Sequence, residues 1–80
     1  MTATFRELDT VVLLRDLPDA GLRAGDVGAI IQVYAPDALE VEFVTAAGKT
    51  IALRTLTLGD IRAVSDDDLL VVRPATRPAA

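Results

Sequence analysis

Residues Leu39-Glu40-Val41-Glu42-Phe43 alternate without a break, apolar at 39, 41 and 43 and acidic at 40 and 42. Successive side chains on a strand point to opposite faces, so this run predicts a half-buried β-strand with Leu39, Val41 and Phe43 inward and both glutamates toward water. Upstream, residues 27–34 form a second strand, with Val27, Ala29, Ile31 and Val33 on one face and Gly28, Ile30, Gln32 and Tyr34 on the other. Ala35-Pro36-Asp37-Ala38 turns the chain between the two. Downstream, a turn at Thr45-Ala46-Ala47-Gly48-Lys49, with Gly48 suited to positive φ, leads into Thr50-Ile51-Ala52-Leu53-Arg54-Thr55-Leu56 and completes a three-stranded meander.

Two shorter strands flank the meander. Thr10-Val11-Val12-Leu13-Leu14-Arg15 is apolar and rich in β-branched residues, and Ile61-Arg62-Ala63-Val64 follows a tight 3₁₀-like turn at Leu58-Gly59-Asp60. Between the first strand and the meander, residues 16–26 collect Pro18, Gly21 and Gly25 and read as one long loop, tucked onto the core by Leu17 and Leu22. Within Gly25-Asp26-Val27-Gly28, Gly25 is expected at positive φ, Asp26 to hold the turn through its carboxylate, and Gly28 to permit close backbone approach or a bulge. Without a phosphate-loop lysine or a following helix, this stretch is a turn and not an anion cradle. The fold class is all-β: five short strands and one long first loop make a small, partly open barrel over residues 1–64.

The C-terminal stretch is organised differently. Ser65-Asp66-Asp67-Asp68 is an acidic linker, and Leu69-Leu70-Val71-Val72 is apolar with no alternation, so residues 65–73 read as a linker and an extra C-terminal strand. A strand apolar on both faces needs cover, from its own barrel or from another chain. Residues 74–80, with Pro74 and Pro78, read as a disordered tail.

Composition narrows the chemistry. Eighty residues give one modest core. The chain has no Cys and no His, which removes disulfides, thiol nucleophiles, thiolate zinc sites and imidazole acid–base catalysis. A net charge of −4 opposes a phosphate backbone, and three aromatic residues, Phe5, Tyr34 and Phe43, offer few rings for stacking bases or for lining a proline-peptide groove. The charged start, Arg6-Glu7, carries no apolar leader, and no apolar run approaches membrane-spanning length, so a soluble cytoplasmic protein is expected.

The candidate sites have plain alternatives. Asp66-Asp67-Asp68 supplies oxygens for a hard cation, but three adjacent acids diverge, and a solvated linker is the simpler reading. Glu40 and Glu42 share a strand face, yet acid–base work needs desolvation to split their pKa values, and no metal, cofactor or catalytic residue is assigned. Arg6, Arg15, Arg23, Arg54, Arg62 and Arg73 are interleaved with acids, which points to a salt-bridged surface and not an RNA-binding patch. The candidate interaction residues are Leu69, Leu70, Val71 and Val72, with Leu22 and Arg23 on the long loop.

The ordered series Glu7-Leu8-Asp9, Val11-Val12-Leu13-Leu14, Asp16-Leu17-Pro18, Gly21-Leu22, Gly25-Asp26-Val27-Gly28, Val33-Tyr34, Glu40-Val41-Glu42-Phe43 and Gly48-Lys49-Thr50 resembles domain of unknown function family 4926, short bacterial proteins, over about residues 6 to 64. The resemblance implies a small SH3-like β-barrel with no established activity, and so no family catalytic residues to carry over. The chain departs from the pattern at the turn Ala35-Pro36-Asp37-Ala38 and after Val64. Some relatives are encoded beside small toxin-like or nuclease-like proteins, which by analogy implies an antitoxin or immunity role. The expected function is therefore a non-enzymatic interaction module with a protein partner or a second copy of itself, a homodimer. The alternatives are a KOW-like nucleic-acid-associated barrel and an accessory domain or subunit of an enzyme.

Overall fold

The computed structural model describes residues 5–75. Five strands, β1 (Thr10–Leu13), β2 (Val27–Tyr34), β3 (Ala38–Val44), β4 (Thr50–Thr57) and β5 (Ile61–Ala63), form one antiparallel sheet of order β4-β3-β2-β1-β5. The two short helical elements are 3₁₀ turns, Pro18–Ala20 and Leu58–Asp60. The protein is all-β, and its single open sheet is consistent with a small, partly open barrel.

Alternation in β3 sets the inner face. Leu39, Val41 and Phe43 are buried, and they meet Val11, Leu13, Ile30, Leu56 and Ile61 in one aliphatic cluster. Phe5 packs against the edge of that cluster. The cover on the inner face is the 16–26 loop: Leu17 and Leu22 exchange both backbone hydrogen bonds, at 3.0 and 3.1 Å, and together with Ala20 they enter the core as the loop's anchors.

Both faces of β2 carry apolar side chains, and the structure buries Gly28 and Ile30. Gly28 is required there: a Cβ would lie 2.7 Å from Val41 Cγ1, 2.9 Å from Phe43 Cε2 and 3.0 Å from the Glu42 carbonyl oxygen. Between Ile30 and Gln32 the register with β3 slips, inserting Ile31 as a bulge. Beyond the bulge the phase is inverted, so that Val33 and not Gln32 stands opposite buried Leu39.

The turns follow their sequence signals. Gly25 and Gly48 have φ of 96° and 87°, and the Asp26 carboxylate accepts the Arg23 N–H at 2.8 Å. The Leu58–Asp60 turn is closed by a reciprocal cap in which Asp60 accepts the Thr57 N–H at 2.9 Å and the Thr57 hydroxyl at 3.1 Å. The Ala35–Pro36 peptide bond is cis.

Two boundaries differ from expectation. β1 stops at Leu13 and does not run to Arg15, because Asp16 turns back to accept the Ala24 N–H at 2.9 Å and closes the long loop. No extra C-terminal strand forms: residues 69–72 adopt no regular structure, because side-chain anchors at both ends of the segment, and not a sheet edge, fix its path. Residues 74 and 75 are likewise irregular, and the rest of the expected disordered tail, residues 76–80, lies outside the described residues.

Candidate functional site

The chain leaves β5 through a turn in which the Asp68 carboxylate accepts the Ser65 N–H at 2.7 Å and the Asp68 N–H bonds the Ser65 carbonyl at 3.1 Å. Arg62, on β5, donates to both oxygens of the same carboxylate, at 2.8 and 2.9 Å. Hydrogen bonds from Arg62, joined by those from Ser65, hold Asp68 well below the usual carboxylate range. Such two-pronged guanidinium–carboxylate pairs fix geometry as well as charge. This is the first anchor.

The second anchor lies five residues on. Arg73 Nε donates to Asp26 Oδ1 at 2.9 Å, its second prong reaches Oδ2, and it also donates to the Gly21 carbonyl at 3.1 Å. Partial burial pushes the Asp26 carboxyl up, but Arg73 and the Arg23 N–H outweigh it and leave the group below its ordinary value. Asp26 therefore serves twice, closing its own turn and seating the end of the C-terminal segment.

Between the anchors, residues 69–72 form a strap whose side chains face water, with Leu69 89%, Leu70 71%, Val71 92% and Val72 96% exposed. The strap borders a groove of about 650 Å³. Val12, Val27 and Val44 contribute to its walls; Val12 faces away from the core because its neighbours Val11 and Leu13 face into it. The charged groups around the groove, Asp26, Arg62, Asp68 and Arg73, are paired with one another. Val12 is itself buried, and the open part of the lining is mostly aliphatic, with Val27, Val44 and the strap exposed; exposed apolar surface of this kind marks contact sites on small proteins.

The expected interaction residues thus divide. Leu69, Leu70, Val71 and Val72 are together and open, whereas Leu22 is only 4% exposed and acts as a core anchor that reaches the groove from below. Arg23 is exposed and contributes its backbone N–H to the Asp26 turn. Residues that sequence reasoning missed are Arg73 with its partner Asp26, and the wall residues Val12 and Val27. Their one available signal was the apolar non-core side of β1, since no local pattern links positions 26 and 73.

Other candidates disperse. Asp68 is taken up by Arg62 and Ser65, and among the described residues no three acidic side chains converge as a metal site would require. Glu40 accepts from the Tyr34 hydroxyl at 3.3 Å and from Thr55 Oγ1 at 3.2 Å, and Glu42 accepts from Thr50 Oγ1 at 2.7 Å, so each glutamate is engaged by hydroxyls. Arg15 pairs with Asp60 and Arg54 with Asp19, as Arg62 and Arg73 do with their own aspartates, which gives a mixed, salt-bridged surface.

Among the described residues no helix is long and apolar enough to cross a membrane. Neither the curated proteins nor the solved structures contain a match to this chain. Residues 7–63, from the turn before β1 to the end of β5, match the family described as Domain of unknown function (DUF4926), and the chain belongs to that family.

Proposed function

We propose that this protein is a non-enzymatic, cytoplasmic interaction module, an SH3-like barrel that engages a protein through residues 69–72 and the adjoining groove, as the inhibitor or accessory partner of that protein. The carrying observation is the strap itself: four consecutive aliphatic side chains, 71% to 96% exposed, pinned at both ends by two-pronged arginine–aspartate pairs. Isolated exposed hydrophobic residues are ordinary, but a contiguous run held in place is not. The pinning supports recognition, since a segment already ordered gives up less entropy on binding. The SH3-like reading is supported by the sheet order, with β1 between β2 and the terminal β5, and by the long loop after β1.

Affinity capture of the tagged chain from its native cells, with a nuclease-treated parallel sample, tests the proposal. A stoichiometric protein that survives nuclease and is lost on Leu70→Asp is the expected result. Recovery of nuclease-sensitive material alone, weakening steeply with salt, would overturn it in favour of nucleic acid.

A further inference from the structure

We infer that the strap is a lid: with both anchors engaged, residues 69–72 settle into the groove beneath them, Leu70 and Val72 inward, so that the free chain exchanges between this covered arrangement and the raised one that the structure shows. Closure is a property of the free chain; its consequence for binding rests on the reading of residues 69–72 as a contact segment.

Three observations select the segment as the groove's own occupant. The first is where its ends are tied. Val12 stands opposite Arg62 of β5 on one side and opposite Val27 of β2 on the other. The anchors sit on those same two flanks, Arg62 holding Asp68 and Asp26, next to Val27, holding Arg73. The strap therefore crosses β1 at Val12 and cannot leave the groove while both pairs hold.

The second is slack. Strands two places apart in a sheet lie about 10 Å from one another, whereas five residue steps, the separation of Asp68 and Arg73, reach up to roughly 17 Å when extended. Among the described residues, no backbone hydrogen bond engages residues 69–72. The middle of the segment is free to rise or settle while its ends stay fixed, and settling adds no backbone acceptor for its amides.

The third is the chemistry of the two surfaces. Val27 and Val44 are 42% and 50% exposed on the groove wall, and the strap's four aliphatic side chains are exposed beside a space of about 650 Å³. Tethered apolar surfaces of this kind gain free energy by closing on one another and releasing the water between them. Alternate side chains of an extended segment point to opposite sides, and Leu70 is the least exposed of the four, at 71%. Closure accordingly sends Leu70 and Val72 inward and leaves Leu69 and Val71 in water. A closed lid hides half of the contact segment, so a partner's affinity is scaled down by the fraction of chains that are open.

Two measurements on the full chain test the lid. Methyl–methyl nuclear Overhauser contacts are expected from Leu70 and Val72 to Val12 and Val27, with none from Leu69 or Val71. Leu70→Ala is expected to lower the thermal midpoint by about 4 °C or more, although the side chain is 71% exposed in the raised arrangement, while Val71→Ala leaves the midpoint unchanged. Absence of the contacts to Val12 and Val27, or equal midpoints for the two variants, overturns the inference, as do contacts from Leu69 and Val71 in place of Leu70 and Val72. If the strap stays raised in the free chain while native-cell capture yields a protein lost on Leu70→Asp, the lid falls and the contact-surface reading stands. If the lid closes and capture yields no protein, the lid stands and that reading falls.

Discussion

The guanidinium of Arg73 grips both carboxylate oxygens of Asp26, 47 positions earlier in the chain, and so ties the C-terminal segment to the turn that starts β2. Both side chains are less than a third exposed. The pair closes the strap on one side as Arg62–Asp68 closes it on the other.

Arg73→Ala should release the strap without unfolding the sheet. A single partly exposed pair contributes about 1 kcal/mol or less, so the thermal midpoint should fall only slightly. Backbone order parameters for residues 69–73 should drop to below about 0.6, the flexible range. Asp26→Asn should cost more stability than Arg73→Ala, because it also weakens the acceptor for the Arg23 N–H that holds the turn. Equal midpoints for the two variants would show that the turn does not depend on that carboxylate.

Gly28→Ala should destabilise the fold by about 1–3 kcal/mol, the usual range for overpacking. The added methyl meets the Glu42 backbone oxygen as well as Val41 and Phe43, and backbone cannot swing aside. Urea unfolding should show a lower midpoint with an unchanged slope. A wild-type midpoint would mean that β2 and β3 part more readily than their packing indicates.

Leu8 is a non-glycine residue at positive φ, 76°, with its side chain 82% exposed. Its N–H donates to the Ile30 carbonyl at 2.7 Å, so the turn before β1 holds it there. The left-handed region costs a leucine about 1–2 kcal/mol, and no core packing is lost with the side chain. Leu8→Gly should therefore stabilise by about 0.5 kcal/mol or more, after the larger unfolded-state entropy of glycine is subtracted. A decrease in the urea midpoint would assign the exposed leucine a contact of its own.

These elements were unequally legible in the sequence. The period-two run at Leu39-Glu40-Val41-Glu42-Phe43 fixes which face of β3 is buried, and Pro18, Gly21 and Gly25 mark the long loop. The inward side of β2 could not be read, because Ile30, Ile31 and Val33 are all apolar and a one-residue bulge reverses the phase midway. The strap was half legible. Its apolar run announces a segment in need of cover, but the anchors that hold it open join Asp26 to Arg73 and Arg62 to Asp68 by tertiary geometry, which no local periodicity encodes.

Stability should be flat across neutral pH and fall in acid. Asp60 is held below its ordinary pKa by Arg15 and then by Thr57, and Asp19, Asp26 and Asp68 are also depressed in the folded state. A carboxyl with a lower pKa folded than unfolded contributes fully above its unfolded value, about 4, and loses that contribution as pH falls through the folded value. With no histidine, no side chain of ordinary pKa titrates between pH 5 and 8. The thermal midpoint should hold steady over that interval and decline below about pH 4; a fall between pH 7 and 5 would contradict the assignment.

The most direct test of the strap as the contact segment is amide hydrogen exchange, comparing the chain recovered from native-cell extract with the same chain held dilute and alone. Dilute, the amides of residues 69–72 should exchange at close to unstructured rates, since no backbone acceptor holds them among the described residues. In the recovered complex the peptide spanning 69–72 should be slowed by about tenfold or more, with β4 unchanged. Exchange of that peptide at unstructured rates while a partner is bound, or protection confined to the β4 edge, would contradict the account.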